Sequence, residues 1–220
     1  ALAKNYRLCE FPHRIMASDP EFRVQLELAR NENVVGEKPD MGFDILASSE
    51  FIEVREAAAK NRLIAREIIE RRFFHDENPS VLACVASNPA LGRKLHKLMQ
   101  QTDNVSVLAE LGKNKSADPE FLEFLAKSDN PLLRAAASAN CKTPPAAQVS
   151  LFGDADKMVR EAFVGLNKCG RKFFEHASIR GGRELKCVLA KTAGQSSEHL
   201  KTLAQDSDPN VRAALVEMLT

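Results

Sequence analysis

Apolar residues recur along this chain at a spacing of 26 residues, much longer than the period of one helix or strand. Counting back from Val211 in steps of 26, with one final step of 27, reaches an apolar residue every time. The next residue is basic in five of the seven copies. The members of this apolar column are Val54, Val81, Val107, Leu133, Val159, Leu185 and Val211. A register held this long indicates an internal structural repeat.

Each copy predicts a helix that begins at the same place. In nearly all copies from Val81 onward a good N-cap residue, such as Asn130 or Asp208, stands three residues before the apolar column, and its side chain can accept a free backbone N–H. A proline that suits the first helical turn follows the cap in three copies, at Pro79, Pro131 and Pro209. Four residues after the apolar column comes a second one, for example Val85 after Val81. This i, i+4 stripe is typical of a helix face that packs on a core.

A shorter helix is predicted before each of these helices. The pairs Asp118-Pro119, Pro144-Pro145 and Ser196-Ser197 occupy matching positions, and each is interpreted as a cap followed by a first-turn residue. No segment shows the sustained alternation of a strand. Helices this short gain their stability from stacking. The pattern therefore predicts an all-α solenoid of about seven 26-residue, two-helix repeats.

The N-terminal part follows the register less closely. Residues 19–23 resemble residues 208–212, but residues 33–44, with Gly36, Pro39 and Gly42, are too long for the repeat. We therefore expect residues 1–44 to form a capping unit and loop, and residues 45–220 to form the repeat array. The predicted last helix reaches Thr220 without a Gly or Pro stop, which leaves continuation of the array open.

Composition narrows the classes of function. The 31 Lys+Arg and 30 Asp+Glu leave a net charge of +1, which argues against a surface built as a whole to bind nucleic acid or membrane. No run of 18 apolar residues predicts a transmembrane helix. The five cysteines are an odd number with no C-x-x-C spacing, which favours a reducing, cytoplasmic location over a disulfide framework.

Catalytic and metal-binding motifs are not found in the sequence. It has no Gly-rich phosphate loop after a strand, no His-Glu-x-x-His and no Gly-x-Ser-x-Gly. Cys141 and Cys169 are 28 residues apart and could approach on adjacent repeats, but no histidine shares a repeat column with the cysteines. We therefore expect a protein without enzymatic activity, metal or cofactor.

The basic column beside the apolar one is the strongest candidate for binding. It consists of Arg55, Arg134, Arg160, Lys186 and Arg212. On one interpretation it forms a ladder that binds an acidic peptide or a phosphate backbone. On the other, each basic residue pairs with a turn acid and holds the repeats in register. Acids at the matching turns favour this second interpretation: Asp103, Asp129, Asp154, Asp156, Asp206 and Asp208.

The seventh unit departs from this pattern. Where the other units have Asp and Pro, it has Ser178-Ile179-Arg180-Gly181-Gly182-Arg183, so that Arg180 and Arg183 flank a glycine pair. Exposed backbone N–H groups beside two arginines predict contact with an anion or a partner. The alternative is a degenerate repeat with a looser turn.

Several segments resemble the leucine-rich repeat variant family. They are Leu133-Arg134-Ala135-Ala136-Ala137, Asn140-Cys141-Lys142-Thr143-Pro144 and Leu125-Ala126-Lys127-Ser128-Asp129-Asn130-Pro131. The resemblance covers residues 45–220 and implies a right-handed superhelix of α-helices alternating with shorter, often 3₁₀, helices. A member of that family carries a cysteine-liganded iron–sulfur cluster in an N-terminal segment. Here that segment offers only Cys9, so we expect no cluster.

HEAT-type repeats are a second resemblance, through Asp154 with Arg160 and Asp206 with Arg212, each six residues apart. Neither family implies one function. The sequence thus predicts a non-catalytic scaffold that binds another protein through a curved solenoid surface. The alternative is nucleic-acid binding along the basic ladder, which the net charge, one Tyr and no Trp disfavour. A redox role, which predicts a coloured protein, is a third hypothesis.

Overall fold

The computed structural model describes residues 10–32, 40–163, 171–191 and 197–219. All regular structure in those ranges is helical, which confirms the all-α prediction. The chain divides into an N-terminal unit, Ala1–Ala117, and a C-terminal unit, Asp118–Thr220. The boundary expected between residues 44 and 45 stays a prediction.

The N-terminal unit is a two-layered stack of helices. Its α-helices are α1 (Glu10–Ala17), α2 (Phe22–Arg30), α3 (Asp40–Leu46), α4 (Ile52–Lys60), α5 (Arg66–Arg71), α6 (Pro79–Ser87), α7 (Arg93–Met99) and α8 (Val105–Lys113). A 3₁₀ helix, Phe73–His75, lies between α5 and α6. In one layer α2 packs on α4, α4 on α6, and α6 on α8, while α1 packs on α3 in the other. Contact between every second helix is the arrangement of an α-solenoid.

The C-terminal unit repeats this arrangement. Its helices are α9 (Pro119–Ala126), α10 (Pro131–Ser138), α11 (Pro145–Phe152), α12 (Lys157–Glu161), α13 (Arg171–Arg180), α14 (Arg183–Ala190), α15 (Ser197–Ala204) and α16 (Pro209–Leu219). In one layer α10 packs on α12 and α14 on α16, and in the other α11 packs on α13 and α13 on α15. Part of the core lies between the layers, where Phe173, Leu189, Leu203 and Val211 are almost completely buried.

The sequence register explains why these helices form where they do. All seven members of the apolar column are buried, from 0% exposed at Val54 to 6% at Leu133. The side chains of Asn78, Asn104, Asn130 and Asp156 each accept a backbone N–H from the first turn of their helix, as predicted. Capping of this kind stabilises a helix by about 1 kcal/mol. Two sequence features thus set the positions of α6, α8, α10 and α12: a polar cap and a buried apolar column.

The shorter helices differ from the sequence expectations in two respects. Helices α9, α11 and α13 are α-helices of eight or ten residues, whereas the family resemblance implied frequent 3₁₀ helices. Eight residues are enough for i→i−4 bonds, which have better geometry than the bonds of a 3₁₀ helix. Pro144 precedes α11 but makes no capping side-chain bond, because it has no acceptor there. Ser196 lies outside the described residues.

The first repeat is displaced by two residues from the predicted alignment. The resemblance of residues 19–23 to residues 208–212 aligns Arg23 with Arg212, but in the structure Gln25 takes the position of Arg212. The Gln25 side-chain amide donates to Asp19 O at 2.7 Å, six residues back, as Arg55 Nη1 donates to Ser49 O at 2.8 Å. Asp19 therefore precedes the N-cap residue, Glu21, by two positions. Helix α2 packs on α4 just as α4 packs on α6, so residues 19–32 form part of the stack.

A ladder of buried asparagines joins successive repeats of the N-terminal unit. Asn61 Nδ2 donates to Ala29 O at 2.8 Å and to Asn31 O at 3.0 Å. Asn88 repeats these bonds on Ala59 O and Asn61 O, and Asn114 repeats them on Ala86 O and Asn88 O. Each amide thus ties the turn after one helix to the end of the preceding repeat. Because these asparagines are at most 5% exposed, their bonds are shielded from water.

Candidate binding surface

The arginines of the basic column are fixed by backbone oxygens of their own turn. Arg134 Nη1 donates to Ser128 O at 3.0 Å and to Asp129 O at 2.9 Å. Arg160 Nη1 donates in the same way to Asp154 O at 2.6 Å and to Ala155 O at 2.9 Å. Equivalent bonds hold Arg55 and Arg212. The acceptors always lie five and six residues back, which fixes the guanidinium and leaves its Nε and Nη2 edge available.

At three positions of the basic column, an aspartate of the next repeat binds the basic side chain. In two of them it binds Nε and Nη2 of an arginine, and in the third it binds Nζ of a lysine. Arg134 Nε lies 2.8 Å from Asp154 Oδ2, and its Nη2 lies 3.0 Å from Asp154 Oδ1. Arg55 binds Asp76 through the same atoms, and Lys186 Nζ lies 2.7 Å from Asp206 Oδ2. The pairs of Arg134 with Asp154 and of Lys186 with Asp206 agree with the second interpretation of the basic column, whereas Asp76 was not among the acids expected to pair. Residues that hold repeats together in this way are not free to bind a ligand.

The paired aspartates also stabilise the turn before the next helix. Asp154 Oδ1 accepts from Asp156 N at 2.9 Å, and Asp206 Oδ1 accepts from Asp208 N at 2.9 Å. Hydrogen bonds from Arg134 lower the pKa of Asp154, and the hydrogen bond from Lys186 lowers the pKa of Asp206. Both carboxylates are thus held ionised by the repeat before them.

Arg160 breaks this alternation of acid and base. Twenty residues after Arg134 comes Asp154, and twenty residues after Lys186 comes Asp206. Twenty residues after Arg160 comes Arg180 instead of an acid. Arg160 and Arg180 are both exposed, and neither forms an ion pair with any residue in the described ranges. Arg183 lies 3.7 Å from Asp208, through Nε and Oδ2, with 64% of its side chain exposed. Arg160 and Arg180 therefore have no ion pair in the described part of the C-terminal unit, although the charge of Arg160 also contributes to the lowered pKa of Asp154.

The two glycines beside Arg180 have different roles. A Cβ added to Gly181 would lie 2.3 Å from Ala177 O, so the close approach of the backbone requires glycine there. A Cβ on Gly182 would meet nothing within 4 Å. Gly182 is the N-cap residue of α14 and has no side chain to accept a backbone N–H. The first glycine is explained by packing, whereas the second leaves the helix start uncapped.

Helices α2, α4, α6 and α8 also form a groove that the sequence did not reveal. Two adjoining depressions, of about 300 and 380 Å³, share Glu56 and Lys60 in their lining. The first adds Ala29, Arg30, Glu32, Glu53, Ala57 and Asn61, and the second adds Pro79, Ser80, Ala83, Cys84, Ser87, Ser106 and Glu110. On α4 the lining residues follow an i, i+3, i+4, i+7 pattern. This spacing places the four residues on one face of α4, and it is the pattern in the sequence from which the groove could have been predicted.

The same helix face in the C-terminal unit exposes apolar side chains. Leu132 on α10 is 50% exposed, Met158 on α12 is 39% exposed and Val188 on α14 is 41% exposed. Leu132 and Met158 are in register with Ser80 and Ser106 of the groove, 26 residues apart each time. Single exposed apolar side chains are common on protein surfaces, so these residues extend the register of the groove without marking a binding patch.

Cysteine chemistry and metal binding receive little support from the described residues. Cys84 is buried in the groove floor, and desolvation raises the pKa of its thiol. Cys141 is exposed and Cys187 is partly buried, while Cys9 and Cys169 lie outside the described residues. The described residues contain no group of three or more His, Cys, Asp or Glu that could hold a metal ion. Over the same ranges, no helix has the length and apolar character needed to cross a membrane.

Comparison with known proteins adds little to these observations. No protein-family model and no curated protein matches the sequence. Among solved structures, the chain is similar to a designed armadillo repeat protein in complex with the peptide (KR)4. The identity is 13% and the TM-score is 0.17, over 94% of this chain and 79% of that one. A TM-score this low carries no argument, and the fold described above rests on the helix stacking.

Proposed function

We propose that this protein is a non-catalytic helical-repeat scaffold that binds another protein through one layer of its stacked helices. The observation that carries this proposal is the groove along α2, α4, α6 and α8. Successive repeats present the same helix face side by side, which produces a long continuous surface. Such a surface suits an extended segment of a partner protein.

The lining of the groove supports a peptide ligand. Its walls carry both signs of charge, with Glu53, Glu56 and Glu110 opposed by Arg30 and Lys60. Its floor is made of small side chains, so that a backbone can approach closely. A polar groove with a small-residue floor offers hydrogen bonds to an extended chain and little volume for a large apolar anchor.

The absence of catalysis is part of the proposal. Cys84 is the thiol that lines the groove, and its raised pKa keeps it protonated near neutral pH. A protonated thiol is a poor nucleophile. The groove therefore presents binding groups without an activated reacting atom at this position.

The nucleic-acid alternative draws less support from the structure. Arg55, Arg134 and Lys186 of the basic column are paired with aspartates inside the stack. A phosphate backbone needs several unpaired cations along one path. With three of the five basic residues neutralised, the column does not supply that path.

We also propose that the protein is related to the leucine-rich repeat variant family and that it is located in the cytoplasm. Two residues of the family-like segment hold their turn: Asn140 Oδ1 accepts from Lys142 N at 3.0 Å, and Thr143 Oγ1 donates to Ala137 O at 2.6 Å. Both side chains are buried. The described cysteines, Cys84, Cys141 and Cys187, are free thiols, which agrees with a reducing compartment.

The test is affinity capture with variants that block the groove. Ala83→Arg places a long side chain in the groove, and Gln101→Arg makes the same change in charge at an exposed position after α7, outside the groove. We expect the unaltered protein and Gln101→Arg to retain the same partner protein, and Ala83→Arg to lose it. Equal retention by both variants would contradict binding in this groove.

A further inference from the structure

We propose that Arg160 and Arg180 form a site for a carboxylate, supplied by an aspartate or glutamate side chain of a protein partner. This inference deepens the proposed scaffold function and rests on it. It assigns to the C-terminal unit a recognition chemistry distinct from that of the groove: an acidic side chain at a defined position of the ligand.

The first step is the orientation of Arg160. Its Nη1 makes the same two backbone bonds as Nη1 of Arg134, to oxygens five and six residues back. Those bonds fix the guanidinium plane before any ligand arrives. In Arg134 the remaining Nε and Nη2 hold the two oxygens of Asp154 at 2.8 and 3.0 Å. In Arg160 the same edge has no partner in the described part of the chain.

The second step is the identity of the missing partner. In three other repeats the partner at this register position is an aspartate: Asp76, Asp154 or Asp206. In Arg55 and Arg134, Nε and Nη2 therefore bind the carboxylate of an aspartate. Two parallel N–H donors match the two oxygens of a carboxylate, and such pairs are among the stronger hydrogen bonds in proteins. An external Asp or Glu side chain can occupy the same place.

The third step is the charge around the site. In the sequence register Arg180 replaces the acid of the other repeats, so two cations stand in place of a cation and an anion. Arg180 is the last residue of α13, whereas Asp154 and Asp206 follow the ends of α11 and α15. Three acids nearby in sequence have partners of their own: Asp154 with Arg134, Glu161 with Lys157, and Asp208 with Arg183. These three acids therefore do not compete with an arriving carboxylate, whereas Glu184, four residues after Arg180, has no ion pair in the described residues.

The sharpest variant is Arg180→Asp, which gives the chain the acid that the other repeats have. We expect Asp at position 180 to pair with Arg160, raise the melting temperature and close the site. Arg160→Ala removes the fixed guanidinium. Arg23→Asp is the control, because it makes the same charge change at an exposed arginine of the N-terminal unit that has no ion pair in the described residues.

The probe is a fluorescein-labelled hexa-aspartate peptide, with hexa-asparagine as the neutral control, measured by fluorescence anisotropy at low salt on the full chain. We expect the protein to bind hexa-aspartate and not hexa-asparagine. Arg160→Ala and Arg180→Asp should each weaken the affinity for hexa-aspartate about tenfold, because the loss of one charged hydrogen bond has an effect of about that size. Arg23→Asp should leave the affinity unchanged. Equal weakening by Arg23→Asp would show a non-specific charge effect and overturn the site.

Two further outcomes separate this proposal from its alternatives. A hexanucleotide DNA that binds more tightly than hexa-aspartate, and loses binding in Arg180→Asp, would assign the arginines to phosphate and overturn the carboxylate site. The scaffold function is tested separately, because Ala83→Arg acts in the N-terminal unit. Loss of the partner by Ala83→Arg with no effect of Arg160→Ala on hexa-aspartate would leave the scaffold standing and refute the site.

Discussion

Asn88 and Asn61 are joined across two repeats by a hydrogen bond of 3.0 Å from the Asn88 amide Nδ2 to Asn61 O. The same amide donates to Ala59 O at 2.6 Å, and its Oδ1 accepts from Ala90 N at 2.8 Å. One side chain, 1% exposed, therefore satisfies three backbone groups. The repeat register is thus maintained by directional bonds as well as by apolar packing.

Asn88→Ala tests this role. The substitution leaves two buried carbonyls and one N–H without their side-chain partner, and each unsatisfied buried group costs about 1–3 kcal/mol. We expect the free energy of unfolding of the N-terminal unit to fall by roughly 2–4 kcal/mol, measured by urea denaturation. Asn78→Ala removes only an exposed cap bond and should cost about 1 kcal/mol. Equal costs for the two variants would contradict the ladder.

Gly181 and Gly182 are expected to respond to substitution in opposite directions. Gly181→Ala places a Cβ against Ala177 O and should destabilise the C-terminal unit by about 1–3 kcal/mol, as overpacking does. Gly182→Asp enters open space and supplies the cap that Asp156 provides to α12, so it should stabilise by about 1 kcal/mol. Thermal unfolding of both variants checks the signs. A stabilised Gly181→Ala would show that the close approach is not a constraint.

The ion pairs of the C-terminal unit predict a loss of stability in acid. Arg134 and Lys186 hold the pKa values of Asp154 and Asp206 below the ordinary aspartate value. As the pH falls, the unfolded chain therefore takes up protons on Asp154 and Asp206 before the folded chain does. The stabilisation by the two ion pairs is complete above the aspartate pKa of the unfolded chain, and it is lost as the pH falls through the lowered pKa values of the folded chain. Denaturation midpoints followed from pH 6 to pH 2 measure this. Asp154→Asn should show a shallower fall, and an unchanged slope would contradict the assignment.

His13 predicts a second pH dependence, at higher pH and in the N-terminal unit. The side chain is 5% exposed, its Nε2 has no hydrogen-bond partner, and burial lowers its pKa. Because the unfolded chain binds a proton more readily, stability is complete above the ordinary histidine pKa and declines as the pH falls below it. His13→Phe should remove this component of the decline between about pH 7 and pH 5. Parallel pH curves for the two proteins would contradict it.

The sequence predicted the features that depend on local patterns. The spacing of residues within one helix can be read from the sequence. It predicted the buried column from Val54 to Val211 and the caps at Asn78 and Asn130. The pairing of Arg134 with Asp154 was accessible because both residues repeat in register.

Features that depend on contacts between repeats were harder to predict. Asn61 and Asn88 follow helix ends and look like ordinary turn residues, because the carbonyls they bind lie 27–32 residues earlier. The groove depends on how far apart α4 and α6 are held, which no single helix reveals. Gln25 was missed because the alignment used the Asp-Pro pair at 19 and 20, whereas the side-chain bond to Asp19 O defines the position.

The measurement that tests the scaffold most directly is site-specific photo-crosslinking from the groove inside cells. A benzoylphenylalanine placed at Ser80, an exposed residue of the lining, samples the ligand position, and the same group at Gln101 samples the surface after α7. The account predicts a covalent adduct with one partner protein from position 80, lost when Ala83→Arg blocks the groove, and none from position 101. Adducts of equal yield from both positions, or none from position 80, would contradict it.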